Sequence, residues 1–211
     1  MSDAEDEPDV NKAYALNSPE DSKRLYATWA STYDKSFAQS KGFAMPGHVA
    51  ELFHAHGGEG PVLDAGAGTG LLAEAILANG ACEIDAFDIS AEMLSEARTK
   101  RVYRALYEGD LTKTLPFRDG AYRTIVSTGT FTHGHVGPEA IDELLRVGGT
   151  GALYVLTIKK DHFVARGFEE KFAAFGSGIR DFRTETRPIY ILEDGTTEEE
   201  DQGLIAIFSK S

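Results

Sequence analysis

The segment Val62-Leu63-Asp64-Ala65-Gly66-Ala67-Gly68-Thr69-Gly70 holds the densest chemical signal in the chain. Glycines at a turn from strand to helix let the backbone approach a ligand closely, because no Cβ stands in the way. A glycine triplet alone is common to many nucleotide folds. Two details narrow it. The spacing is G-x-G-x-G and not the G-x-G-x-x-G of dinucleotide binders. An acid, Asp64, also stands two residues before the first glycine. A carboxylate there repels a pyrophosphate and suits a ligand carrying an ammonium or sulfonium.

Two more acids stand at related places. Asp88 closes the next apolar run, 24 residues after Asp64, where a carboxylate can accept both hydroxyls of a ribose. Asp110 comes 22 residues later, in Glu108-Gly109-Asp110, where its side chain can meet an adenine amino group. If the three runs are neighbouring parallel strands, the acids share the carboxyl edge at which open α/β sheets bind ligands. Such a ligand has an amino-acid part, a ribose and an adenine, with no phosphate. S-adenosylmethionine has all of these parts. The plainer alternative is three ordinary strand-end acids.

Histidines supply the candidate proton acceptors. His133 and His135 lie in Thr132-His133-Gly134-His135, beside the expected place of methyl transfer. A histidine titrating near neutrality can take a proton from a hydroxyl, thiol or amine as it attacks a methyl carbon. His133 is the candidate catalytic base and His135 a candidate pocket residue. Positioning and desolvation can suffice for in-line displacement from a sulfonium, so a base is not required. The competing reading is a loop histidine that caps the next helix. His-x-His could chelate, but no third ligand clusters with it, so no metal is expected. His54 and His56 are two apart on an expected helix and diverge. His48 and His162 read as surface residues. The single cysteine, Cys82, reads as a small core residue at the start of a buried strand. Phe163, Phe168, Phe172 and Phe175 recur near the helical period, which fits core packing and also a pocket wall.

Elements must position these groups. Ser18-Pro19-Glu20-Asp21 has the cap, proline and acids of a helix start, and predicts a helix over 19–33. A second helix is expected from Pro46 to about 56, ended by Gly57-Gly58. Strands are then expected over 61–65, 83–87, 102–107, 123–127 and 151–158. Helices are expected between them over 69–79, 91–101 and 138–147. This alternation with short loops means a parallel sheet covered on both faces by helices. Beyond it, the spacing predicts a helix over 163–175. Two β-rich runs, 187–192 and 204–209, flank an acidic stretch and read as an antiparallel hairpin with a charged tip.

At 211 residues the chain has the size of one domain. With 42% hydrophobic residues it can bury a core, which excludes a wholly disordered chain. No apolar run approaches the roughly 20 residues of a membrane span. The acidic start MSDAEDEPDV reads as solvated and disordered, and is no secretory signal. With a single cysteine, the expected address is cytoplasmic. The formal net charge is −13, but five acids lie within 1–10 and six within 193–201. With those set aside, 23 acids face 21 bases. A near-neutral body has no basic face for phosphate backbones, so nucleic acid is not an expected partner. Oligomeric state stays open.

VLDAGAGTG, AFDIS-AEML and EGDL closely resemble the first three motifs of the small class I S-adenosylmethionine-dependent methyltransferases of the type 11 kind, across about residues 60–158. The segments AYALNSPEDSKRLYATWASTYD and STGTFTHGHVGPEAIDELLRV look like a narrower group, the methyltransferase-like proteins named after the Williams–Beuren syndrome chromosome region. The resemblance implies an α/β, Rossmann-like fold: a seven-stranded, mostly parallel sheet with helices on both faces and a C-terminal antiparallel hairpin. Residues 1–57 would be the acidic start and lid helices, and 58–211 the cofactor-binding domain. Carried over, Gly66, Gly68 and Thr69 would wrap the methionine part, with Asp64 orienting its amino group. Asp88 would bind the ribose, and Ile89 and Met93 would sandwich the adenine. Gly109, Asp110 and Leu111 would read its edge. Thr128 would sit near the methionine part, and Tyr33 would close over the cofactor. Trp29, Phe131 and His135 would wall the acceptor pocket, although helix packing explains Trp29 and Tyr33 equally well.

The fourth motif is a departure. Adenine and amide methyltransferases resemble one another in [D/N]-P-P-[Y/F], where this chain has Ser127-Thr128-Gly129-Thr130-Phe131. Arsenic methylation would need several cysteines. The expected activity is therefore methylation of a small metabolite at oxygen, nitrogen or sulfur. A non-catalytic S-adenosylmethionine-binding protein and a protein methyltransferase are the alternatives. A nicotinamide-dependent oxidoreductase is disfavoured by Asp64 and by the glycine spacing.

Overall fold

The computed structural model describes residues 18–132, 136–192, 194–197 and 202–211. The expected disordered start, the two loop histidines His133 and His135, and most of the acidic tip lie outside the described residues. In chain order the elements are α1 (Pro19–Trp29), a π-helical turn (Tyr33–Gln39), α2 (Met45–Ala55), β1 (Val62–Ala65), α3 (Leu71–Leu77), β2 (Ile84–Asp88), α4 (Ala91–Lys100), β3 (Ala105–Glu108), β4 (Tyr122–Phe131), α5 (Ala140–Val147), β5 (Gly148–Lys159), α6 (Lys160–Ala165), α7 (Phe168–Ala174), β6 (Ile179–Pro188) and β7 (Gln202–Lys210).

Strands β1 to β5 pair in parallel, and β7 runs antiparallel between β5 and β6. The sheet order is β3-β2-β1-β4-β5-β7-β6. β1 lies inside the sheet between β2 and β4 and is buried along its whole length, as an apolar run covered on both faces must be. Side chains alternate along each strand. Val62 packs in one core and Leu63 in the other. The register pairs Asp64 with Ala86, so Asp64, Ala86 and Asp88 share one face. Helices α2 and α3 cover that face, where Val49, Phe53, Leu72 and Ile76 meet Val62, Ile84 and Val126. On the opposite face α5, α6 and α7 pack Ile141, Leu144, Phe163, Phe168 and Phe172 onto Leu63, Ile125 and Tyr154. The phenylalanine stripe is therefore core.

Several expectations needed correction, each for a local physical reason. α1 ends at Trp29, short of Tyr33, and the chain continues into the π-helical turn. Of the two expected lid helices, α2 is instead part of the sheet's helical layer. The helix expected over 163–175 is split at Gly167, whose φ of 75° breaks it into α6 and α7. His162 is fully buried, 5.6 Å from the ring of Phe168, because that short α6 turns it inward. His48 is half-buried and Cys82 only partly buried. The largest difference is β6. It spans Ile179–Pro188, whereas the expected run was 187–192. β6 is an edge strand with mostly exposed, charged side chains, so apolar alternation does not reveal it. The apolar residues Ile189, Tyr190 and Ile191 pair elsewhere, with the chain around Phe43.

Candidate active site

The glycine loop leaves β1 beneath the end of β2. The amides of Gly66 and Ala67 both donate to the Phe87 carbonyl, at 2.8 and 3.2 Å. Gly66 has a φ of 79°, and a Cβ there would stand 1.9 Å from Thr130 Oγ1. Only glycine fits that crossing. Gly68, at φ 52°, is the reverse case: a Cβ there would meet no atom within 4 Å, since it would point into an open cleft.

That cleft encloses about 900 Å³, its open mouth included. Its walls come from six places. The loop supplies Gly66, Gly68 and Thr69, the end of β2 supplies Asp88 and Ile89, and α4 adds Met93. Gly109, Asp110 and Leu111 follow β3. Thr128, Gly129 and Thr130 come from β4, and α1 with the π-helical turn contributes Ser22, Tyr26 and Tyr33. Eleven residues expected to touch a cofactor thus converge on one cavity: Tyr33, Gly66, Gly68, Thr69, Asp88, Ile89, Met93, Gly109, Asp110, Leu111 and Thr128. Three expected site residues do not line it. Trp29 is buried against Met93 and Tyr26 beneath the wall. Phe131 sits 5.7 Å from the Phe168 ring, in the core. Asp64 is buried under the loop.

The carboxylates are held by short backbone contacts. Asp88 accepts from the Gly68 amide at 2.8 Å and the Ser90 amide at 2.9 Å, one on each oxygen. Burial raises its pKa, and these amide bonds oppose the shift. Each oxygen has lone-pair capacity for a further donor. Asp110 Oδ1 accepts from the Thr112 amide and hydroxyl, at 2.8 and 2.7 Å. Asp64 accepts 2.7 Å from the Tyr103 hydroxyl through Oδ2. Its Oδ1 is buried without a hydrogen-bond partner. Burial pushes the Asp64 carboxyl up to about 7, with the Tyr103 bond opposing and the Asp88 charge adding. A cation bound against the loop would favour its ionised form.

Sequence reasoning missed Tyr103, Asp34, Phe43 and Tyr26. Asp34 accepts a hydrogen bond from the Thr69 hydroxyl and an ion pair from Lys100 at 2.6 Å. Lys23 pairs with Glu108 at the end of β3, next to Gly109. The N-terminal segment is thereby pinned across the cavity at two points. Only Asp34 had an available signal, as the acid that follows Tyr33.

These residues fit S-adenosylmethionine. Glycines open the cleft floor and two carboxylates flank apolar adenine-sized walls. The buried Asp64 oxygen lies under the loop where an amino group would rest. Among the described residues no cluster of histidine, cysteine or acid could hold a metal ion. None of the helices there is long and apolar enough to cross a membrane.

Residues 62–151 match the family described as "Methyltransferase domain". Comparison with curated proteins finds no match. Solved structures share the fold. A protein from Methanococcus maripaludis, described as a candidate S-adenosyl-L-methionine-dependent methyltransferase, is 19% identical with a TM-score of 0.63, over 90% of this chain and 93% of its own. An S-adenosylmethionine-dependent methyltransferase from Thermotoga maritima, described as a possible histamine N-methyltransferase, is 17% identical with a TM-score of 0.64, over 89% and 99%. A TehB-like S-adenosylmethionine-dependent methyltransferase from Corynebacterium glutamicum is 20% identical with a TM-score of 0.62, over 89% and 99%.

Proposed function

We propose that this chain is a class I, S-adenosylmethionine-dependent methyltransferase that methylates a small metabolite at oxygen, nitrogen or sulfur, a reading supported by the match of residues 62–151 to a methyltransferase domain family. One observation carries the reading. The cavity does not end at the cofactor-facing residues but continues past Thr128 to Gly129, Phe43 and Val136, leaving room for an acceptor. A cofactor-binding protein without turnover would not need that space.

Bound S-adenosylmethionine supplies an activated methyl group on a cationic sulfur. The chain supplies placement. Asp88 accepts the ribose hydroxyls, Ile89 and Met93 hold the adenine faces, and Asp110 with the Leu111 backbone meets its edge. The glycine loop wraps the amino-acid part over Asp64. Tyr26 and Tyr33 exclude water from above, and exclusion strengthens every polar contact inside. His133 is assigned as the acceptor's base on sequence position, next to the end of β4. The single cysteine supports a cytoplasmic address.

The test is calorimetric titration with S-adenosylmethionine and its demethylated product, followed by methyl transfer into a low-molecular-mass cell extract. Both ligands should bind, and label should enter the small-molecule fraction. Label confined to protein would replace this reading with protein methylation. Tight binding with no transfer to either fraction would favour a non-catalytic binder.

A further inference from the structure

We propose that the far end of the cavity is an apolar acceptor subsite that takes an uncharged acceptor, with Phe43 as the residue that sets which acceptors fit. This rests on the methyltransferase reading above. The charges in the cavity wall are unevenly placed. Asp88 and Asp110 stand where ribose and adenine would lie, beside Ile89, Met93 and Leu111. The other end, on the β4 side of β1, has Phe43, Thr128, Gly129, Thr130 and Val136. Among the described residues that end has no carboxylate, ammonium or guanidinium. Thr130 already donates its hydroxyl to the Ala65 carbonyl at 3.1 Å. A charged group bound there would lose its water against described walls that offer no ion to replace it.

Phe43 is fixed rather than carried on a loose loop. The Ile191 amide donates to the Gly42 carbonyl at 2.8 Å, and the Ala44 amide donates to the Ile189 carbonyl at 2.9 Å. Phe43 and Tyr190 bridge antiparallel between these bonds, with ring centroids 6.0 Å apart. Gly42 makes the approach possible: its φ is 64°, and a Cβ there would stand 1.9 Å from the Ile191 carbonyl oxygen. A Cβ on Gly129 would lie 3.8 Å from Phe43 Cζ, so the ring tip reaches the β4 turn that also carries Thr130 to Gly66. A wall held from both sides is preorganised, and its size is a selection rule.

The acceptor is thus a neutral thiol, hydroxyl or ring nitrogen on an apolar or aromatic body. Its lone pair forms the bond to the methyl carbon as the carbon–sulfur bond breaks and returns its electron pair to sulfur. An acceptor proton, where present, passes to the base, the role proposed above for His133.

Benzyl mercaptan and 4-(mercaptomethyl)benzoate test this, since they share the thiol and differ in one carboxylate. Binding of each is measured by calorimetry on the full chain saturated with demethylated cofactor, and methyl transfer is followed separately. The neutral thiol should bind at least about tenfold more tightly, the factor that 1.4 kcal/mol of unpaired charge represents. Phe43→Ala should keep its affinity for the demethylated cofactor and gain binding of the bulkier 1-naphthylmethanethiol relative to benzyl mercaptan. Phe43→Leu should fall between. Equal binding of the charged thiol, binding of neither thiol, or unchanged selectivity in both variants would overturn the proposal. Absence of demethylated-cofactor binding in the unmodified chain would instead overturn the underlying reading.

Discussion

The Tyr103 hydroxyl donates to Asp64 Oδ2 at 2.7 Å, beneath the glycine loop and outside the cavity. The two residues lie on β1 and just before β3, and only the fold joins them. The phenol itself stays protonated, because burial and the Asp64 charge raise its pKa well above the usual value. The acid of the glycine motif is therefore wired to the scaffold first, and its influence on a ligand passes through the loop.

This pair makes stability depend on pH. Asp64 has a folded pKa of about 7 against 3.8 for the free group, so the folded state holds that proton more tightly. Stability from this group is full below the lower value and declines as pH rises through the higher one. Scanning calorimetry of the ligand-free chain should show Tm falling across that window. Asp64→Asn should flatten the fall, and Tyr103→Phe should shift it to higher pH. Parallel profiles in the unmodified chain and Asp64→Asn would reject the assignment.

Gly66 and Gly68 should respond differently to the same added methyl. Gly66→Ala meets Thr130 and should unfold the loop, lowering Tm and removing cofactor binding together. Gly68→Ala meets open space, so it should cost only about 1–2 kcal/mol for its left-handed backbone. It should still abolish binding, because the Cβ enters the cleft. Thermal shift with titration of the demethylated cofactor separates the two outcomes.

Asp88→Ala removes the ribose acceptor and the anchor of the Gly68 and Ser90 amides. Bonds to a charged acceptor are worth about 1.5–3 kcal/mol each, so affinity should drop by roughly a hundredfold or more. Titration calorimetry that finds unchanged affinity would discard the cofactor placement.

Asp34→Asn should loosen the N-terminal segment while leaving the sheet alone. The lost ion pair with Lys100 is part-exposed and worth about 1 kcal/mol or less. The expected signature is kinetic: faster cofactor dissociation in stopped flow, and faster proteolysis between α1 and α2. Unchanged dissociation would mean that this contact does not restrain the lid.

Much of the cofactor site was legible locally. Glycine spacing, strand-end acids and a capped helix are short-range signals, since each depends on a few neighbouring residues and the two-residue period of a strand. The same period separates Asp88 from Asp85. Asp85 faces the opposite core, where Arg104 and Tyr122 hold it. Tertiary structure decided the rest. Trp29 and Phe131 are as apolar as pocket residues should be, and only packing put them behind the wall. β6 carries charges because an edge strand faces water, so its hydropathy conceals it. Phe43 reached the cavity through Tyr190, and Asp34 through Thr69 and Lys100, across gaps that no local pattern spans. The sequence by itself determined which ligand chemistry the strand ends present. Which side chains close around that ligand was decided by contacts between distant segments, because those exist only once the sheet has brought the segments together.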